Sequence, residues 1–421
     1  MTNDVYTLIN QNVHEGKIHE PTSLRITFHI TDKCNMACKY CYESKGNRVI
    51  NVNYAKSLID EVINFLCHQD ASFLYGYLNC EKNSIVQLDF IGGEVTLYME
   101  IVDEICDYFF KQCLSNNLIE IYDKAVIILQ SNGTTYFNED VQSFLNRYKD
   151  RVIFPITIDG CKECHDTNRI YKDGTPTFDE VDLATKHYIA NHNMPDTKMT
   201  FSSNTFKYIK DSCEYLYVLG YKTCRMNTDI THKLSIQETN DYYEALIQTA
   251  DWIIDNQNDF LPSPFLISYT QQRVIGLCGM YGNQIAIDVD GNLFNCYRMC
   301  RDSIGELEKP IGNIVTKTLD FDFVNEFIDN VDSRSNPLCA DCPIKFGCEE
   351  CPAENKKHNG SWYISWNNCG QTIAQAKAQL YFLQRAKDTD YPYFREELSK
   401  VENHYDPNFK YLLDYESEEK E

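Results

Sequence analysis

The sequence predicts an α/β protein, a partial (β/α)6, TIM-like barrel of parallel strands followed by a cysteine-rich domain held together by metal. Three observations predict it. From about residue 23 to 235, short runs rich in Val, Ile, Phe and Thr alternate with longer amphipathic segments. Beyond residue 270 that rhythm fades and cysteines crowd together. The 421 residues also exceed the roughly 250–300 that one hydrophobic core serves, so a second domain is expected.

The elements follow in order. LRITFHIT (24–31), VQLDFI (86–91), AVIILQ (125–130), VIFPITI (152–158), KMTFSS (198–203) and KTCRMN (222–227) read as strands, with the composition of buried parallel ones. Between them Tyr54–Cys67, Glu100–Leu114, Asp140–Tyr148, Phe178–Asn191 and Tyr208–Leu219 read as amphipathic helices. Six βα units in series make a partial or complete barrel, whose reactive groups sit on loops after the strands. The expected layout is an N-terminal extension (1–22), the barrel (23–235), a linker helix (236–269), the cysteine-rich domain (270–387) closed by the helix 370–387, and a C-terminal tail (388–421).

Net charge is −23, from 62 acidic against 39 basic residues, and such a surface repels phosphate backbones and anionic lipid. Nucleic acid and membrane are therefore not expected partners. The N-terminus lacks a basic stretch followed by an apolar run, and no apolar run approaches the roughly 20 residues of a membrane span. A cytoplasmic location is expected, where thiols stay reduced. Nineteen cysteines then point to metal ligation rather than to disulfides.

Cys34-Asn-Met-Ala-Cys38-Lys-Tyr-Cys41 follows the first strand. Thiolates are the natural ligands of iron–sulfur clusters, and three of them leave one iron of a [4Fe–4S] cubane open to a small molecule. Structural zinc sites are instead closed by four ligands. Further motifs stand at successive strand ends: Gly92-Gly93-Glu94, Ser131-Asn132-Gly133, and Thr157-Ile158-Asp159-Gly160 with Arg169 downstream.

In this order the motifs resemble those of the radical S-adenosylmethionine enzymes, over residues 24 to about 230. The resemblance implies that Cys34, Cys38 and Cys41 hold the cluster that binds S-adenosylmethionine. It implies that Gly92, Gly93 and Glu94 receive the cofactor's amino group, and that Ser131 and Asn132 meet its ribose. Thr157, Asp159 and Arg169 would hold its carboxylate, a guanidinium suiting a carboxylate through paired donors, and Tyr40 would lie against the adenine.

Downstream come Cys278-x12-Gly291-x4-Cys296, Cys339-x2-Cys342-x5-Cys348-x2-Cys351 and Cys369. Alone, these fit zinc ribbons as well as iron–sulfur clusters. After a radical-enzyme barrel they resemble the SPASM extension of peptide- and protein-modifying members, which implies two auxiliary [4Fe–4S] clusters and three in all. The family's interleaved pattern assigns Cys339, Cys342, Cys348 and Cys369 to the outer cluster, and Cys278, Cys296 and Cys351 to the inner one. The last spacing is one residue short of the usual pattern, and the inner cluster has either an open iron or a further ligand, with Cys300 nearest. Cys161 and Cys164 form a separate C-x2-C on the expected active face, where packing is the simpler reading.

The resemblance implies a peptide maturase that makes a 5′-deoxyadenosyl radical and installs a thioether or carbon–carbon crosslink in a ribosomally synthesised precursor peptide. An anaerobic sulfatase maturase is the alternative, but its relatives carry an aspartate after the Gly-x4-Cys cysteine, where this chain has Tyr297. A plain iron–sulfur electron carrier is a second alternative that leaves the strand-end motifs unexplained. Expected partners are the precursor peptide and an electron donor such as flavodoxin or ferredoxin; the 33 residues before Cys34 are too few for a winged-helix leader-binding domain, so the barrel, the cysteine-rich domain or a separate leader-binding protein is expected to grip the precursor. No catalytic side chain is assigned.

Overall fold

A computed structural model describes residues 23–68, 71–78, 84–192, 197–266, 280, 282–300, 309–329, 344, 351–359 and 368–393. The chain divides into two compact units. One comprises Met1–Asn35, Tyr42–Ile156 and Val274–Ser333; the other comprises Met36–Cys41, Thr157–Arg273 and Arg334–Glu421.

The first unit is built on one sheet. Its strands are β1 (Ser23–Thr31), β2 (Ile85–Gly92), β3 (Val126–Leu129) and β4 (Val152–Ile153). They run parallel, each beside its predecessor. On one face of β1 the alternate residues Leu24, Ile26, Phe28 and Ile30 are fully buried, because strand side chains alternate with period two. Phe28 stands in register with Phe90, and the two rings stack with centroids 5.3 Å apart. Each such side chain removed from water contributes about 2 kcal/mol. The helices Val52–His68 and Met99–Ser115 each bury an apolar stripe, Leu58, Val62 and Phe65 in the first and Val102, Ile105 and Phe109 in the second.

The opposite face of β1 and β2 is polar yet buried, with Thr27, His29 and Asp89 all at 1% exposure or less. Thr27 donates to Asp89 Oδ2 at 3.4 Å. Burial pushes the Asp89 carboxyl up to about 6, against the pull of Arg25 and of hydrogen bonds from Thr27 and Gln130.

The expected fourth strand, 152–158, ends after Ile153. Pro155 has no N–H to donate and interrupts the ladder, leaving one bridge between Ser131 and Ile156. The same sheet continues on its other side with β7 (Gln284–Ile287), β8 (Asn292–Phe294), β9 (Gly312–Asn313) and β10 (Thr318–Leu319). β7 pairs parallel with β1, Phe28 against Ile287, and β7 to β10 are antiparallel to one another. Little periodicity is legible over 270–370, yet Asp288 and Gly291 mark the β7–β8 turn. The Asp288 carboxylate accepts from the N–H groups of Asp290 and Asn292, both at 2.9 Å.

The second unit holds β5 (Lys198–Phe201) and β6 (Arg225–Thr228), which pair parallel as a sheet of their own. The helix Ile236–Asp255 starts on a capping box formed by Ser235 and Glu238. It buries Tyr242, Leu246, Thr249 and Ile253 at helical spacing, and it packs along the helix Asn368–Asp388. The latter is tied to the end of β6. Gln371 Oε1 accepts from Thr228 N at 3.0 Å, and Gln375 Nε2 donates to Tyr242 at 2.9 Å. Among the described residues, no helix is long and apolar enough to cross a membrane.

Candidate functional site

In the first unit the expected site residues gather where β1, β2 and β3 end. Gly92 and Gly93 press against the chain just after β1. A Cβ on Gly93 would stand 2.2 Å from Lys33 O, so the position requires glycine. Two backbone bonds hold this approach, Gly93 N to Thr31 O at 2.7 Å and Glu94 N to Lys33 O at 2.9 Å. The glycine pair therefore braces the stem of the cysteine loop.

Glu94 is 2% exposed and its carboxylate joins two strand ends. Oε1 accepts from Ser131 Oγ at 2.9 Å and from Thr96, and Oε2 accepts from Asn132 N at 2.8 Å. Burial pushes its pKa upward, opposed by those hydrogen bonds. Asn132, expected at a ribose, has its amide orientation fixed by neighbours. Its Oδ1 accepts from Thr134 N at 3.0 Å and Thr134 Oγ1 at 2.7 Å. Its Nδ2 donates to Asn35 Oδ1 at 2.9 Å and points at the Cys34 sulfur at 3.9 Å. Cys34 itself is buried.

In the second unit, residues 36–41 are stitched to the segment after Asp159. Ala37 N donates to Ile170 O at 2.8 Å and Lys39 N to Asn168 O at 3.0 Å, while Cys41 N closes a turn on Cys38 O. This brings Tyr40 to Asp159 and Arg169. The Tyr40 hydroxyl donates to Asp159 Oδ2 and accepts from Arg169 Nη1 at 2.8 Å. Asp159 Oδ1 accepts from Thr200 N at 2.9 Å, and Thr157 lies half-buried two residues before. Burial raises the Asp159 pKa against the pull of Arg169, and it raises that of the Tyr40 phenol well above its usual range. Gly160 has φ +76°, and a Cβ there would meet Ser212 Cβ at 2.0 Å.

Arg169 is 6% exposed, and its Nε has no acceptor. A buried guanidinium with an unsatisfied N–H is a ready receptor for a carboxylate. Beside it, Lys39, Tyr40, Asn168, Ser202, Asn204 and Asp229 help line a cavity of about 470 Å³.

No protein-family model matches the chain. The protein MJ0907 of Methanocaldococcus jannaschii is 27% identical over 198 residues, 46% of this chain and 58% of its own length. The chain thus matches little more than half of that relative. AlbA of Bacillus subtilis, an antilisterial bacteriocin subtilosin biosynthesis protein, is 24% identical over 353 residues, 80% of this chain and 68% of its own. A cysteine-type anaerobic sulfatase-maturating enzyme of Clostridium perfringens is 25% identical over 348 residues, 76% of this chain and 86% of its own. The solved structure of anSMEcpe with bound AdoMet superposes with a TM-score of 0.63 at 19% identity, covering 91% of this chain and 98% of that one. In sequence the chain is thus similar to radical S-adenosylmethionine maturases over about three quarters of its length, and it shares the fold of a solved one.

The donor chemistry of the cysteine loop suits iron and sulfide: three thiols, with an amide N–H aimed at the first. Among the described residues no three His, Cys, Asp or Glu side chains converge on an ion-sized point. Of the expected auxiliary ligands, Cys296 is buried in the first unit, while Cys351 is half-buried and Cys369 exposed in the second. Cys278, Cys339, Cys342 and Cys348 lie outside the described residues. Cys300 is fully buried one short turn after Cys296. Cys161 and Cys164 both have pKa values raised by burial, as packed thiols do.

Sequence reasoning missed Asn35, Thr134, His165 and Thr177, which tie the expected residues together. His165 lies four residues before Arg169 in sequence, and only its hydrogen bonds assign it a task.

Proposed function

We propose that this chain is a radical S-adenosylmethionine peptide maturase that installs a thioether or carbon–carbon crosslink in a ribosomally made precursor peptide. The observation that carries the cofactor assignment is Arg169, a buried cation with an unsatisfied N–H, held by a residue of the cysteine loop. When bound, cluster and cofactor supply the hard chemistry: one electron into the sulfonium gives methionine and a 5′-deoxyadenosyl radical, which takes a hydrogen atom from the substrate.

In this reading the thiols of Cys34, Cys38 and Cys41 would hold the cluster, one ligand short of a cubane's four. Arg169 receives the cofactor's carboxylate, with Thr157 beside it. Tyr40 and Asp159 fix the guanidinium in place, and the Tyr40 ring borders the cavity that takes adenine. Glu94 and Ser131 set the geometry where β2 and β3 end, and Asn132 steadies the loop that carries Cys34. The auxiliary ligands named from sequence would hold two further clusters, whose chemistry when bound is one-electron transfer. A flavodoxin or ferredoxin supplies the first electron.

A second reading is favoured by the alignment to the cysteine-type sulfatase maturase, which covers 86% of that enzyme. It makes the substrate a sulfatase whose Cys or Ser becomes an aldehyde, and Tyr297 in place of an aspartate argues against it. One experiment separates the two. Anaerobic protein is incubated with S-adenosylmethionine, reductant and the product of the adjacent reading frame, and the partner is then weighed by mass spectrometry. Loss of two hydrogens with no carbonyl that a hydrazide probe can label supports a crosslink, whereas a hydrazide-labelled aldehyde at Cys or Ser supports the sulfatase reading.

A further inference from the structure

Asp159 and Arg169 are joined twice, once through side chains and once through the backbone. The side-chain link is the Tyr40 hydroxyl. The backbone link begins at Asp159 N–H, which donates to His165 Nδ1 at 3.2 Å. A ring nitrogen that accepts from an amide carries no proton, so the imidazole bears its hydrogen on Nε2. His165 Nε2 lies 3.1 Å from Thr177 Oγ1. The Thr177 hydroxyl has already given its one proton to Arg169 O, at 2.8 Å, so at Nε2 it accepts. The directions agree along the whole chain: Asp159 N–H to His165, His165 to Thr177, Thr177 to Arg169 O.

The setting enforces this arrangement. His165 is fully buried, Thr177 is 1% exposed, and the ring meets Phe178 edge-on at 5.7 Å. Burial, then Arg169 and Lys162, hold the imidazole pKa well below its usual value, so the ring stays neutral. A protonated ring would set an N–H against the Asp159 amide.

We infer that His165 is a positioning residue: a neutral Nε2–H brace that, with Thr177, fixes Arg169 relative to Asp159 so that the guanidinium meets the carboxylate of S-adenosylmethionine. This rests on the cofactor assignment proposed above. His165 touches no reacting atom in this account. Its effect passes through the Arg169 carbonyl, and an ångström of slack there loosens a two-point grip on a carboxylate.

The test uses anaerobically purified, cluster-loaded, full-length protein and measures the dissociation constant for S-adenosylmethionine by equilibrium dialysis. Iron content and far-UV circular dichroism report folding. His165→Phe and Thr177→Val should each weaken binding about tenfold with iron content unchanged. The double variant should bind no more than about twofold worse than the poorer single, because both cut one chain. His165→Asn, whose Oδ1 can still accept from Asp159 N–H, should bind better than His165→Phe.

Thr177→Val keeps the shape of the side chain and guards against a misfolded histidine variant. Unchanged affinity in both His165→Phe and Thr177→Val overturns the brace. Wild-type protein that binds no S-adenosylmethionine overturns the cofactor assignment instead, and the brace is then read directly. In 15N-histidine spectra, assigned by comparison with His165→Asn, the ring should show the neutral Nε2–H form throughout pH 5–8. An Nδ1–H form, or titration within that range, overturns it.

Discussion

The hydroxyl of Tyr40 accepts a hydrogen bond from Arg169 Nη1 at 2.8 Å and passes its own proton toward Asp159. Arg169 Nη1 and Asp159 Oδ2 are 3.9 Å apart, so the phenol oxygen mediates an ion pair that is loose on its own. An aromatic expected to offer only its ring thus also holds the two charged groups of the second unit.

Tyr40→Phe keeps the ring and removes the bridge. It should weaken S-adenosylmethionine binding about tenfold, the cost of leaving a buried charged donor unsatisfied. Binding by Tyr40→Phe is measured by equilibrium dialysis. Wild-type affinity would show that Tyr40 acts through its ring alone.

Glu94 accepts from Thr96, Ser131 and the Asn132 amide within a buried setting. Glu94→Ala strands those donors and should cost about 2–4 kcal/mol of stability. Glu94→Gln keeps one acceptor oxygen and should cost less. Anaerobic urea unfolding measures both, and a loss below about 0.5 kcal/mol for Glu94→Ala would contradict this role.

Asp89 supplies a pH signature. Its folded pKa of about 6 lies above the 3.8 of a solvated aspartate, so the folded state holds the proton more tightly. Stability from this group is greatest at low pH and falls as pH rises to about 6, by about 3 kcal/mol in all. Asp89→Asn should therefore be the more stable protein at pH 8, with a smaller gain at pH 5. Thermal unfolding at the two pH values checks this; an equal gain at both would mean that ionisation is not the cause.

The strand-end motifs were legible because each chemistry-bearing residue follows a β-rich run, and β1, β2, β5 and β6 fall within a few residues of their expected limits. Two features were not. Pro155 sits inside an apolar run whose composition reads as strand, and only the missing N–H shortens it. The pairing of β7 with β1 joins residues more than 250 positions apart, which no local periodicity encodes. Likewise, the jobs of Glu94 and Asn132 toward protein groups depend on neighbours brought together by the sheet.

Asn132 anchors Asn35 and points an N–H at the Cys34 sulfur. Hydrogen-bonding partners behind a metal ligand change affinity by roughly 10–100-fold. Asn132→Ala should release iron from the loop to a chelator at least about tenfold faster than wild type under nitrogen. Release at the wild-type rate would confine Asn132 to loop packing.

The most direct measurement is anaerobic turnover of S-adenosylmethionine with dithionite, scored as 5′-deoxyadenosine by liquid chromatography. The account predicts 5′-deoxyadenosine from the wild-type chain and none above background from Cys34→Ala, Cys38→Ala or Cys41→Ala. Iron-loaded wild-type protein that forms none, or loop variants that form as much as wild type, would contradict it.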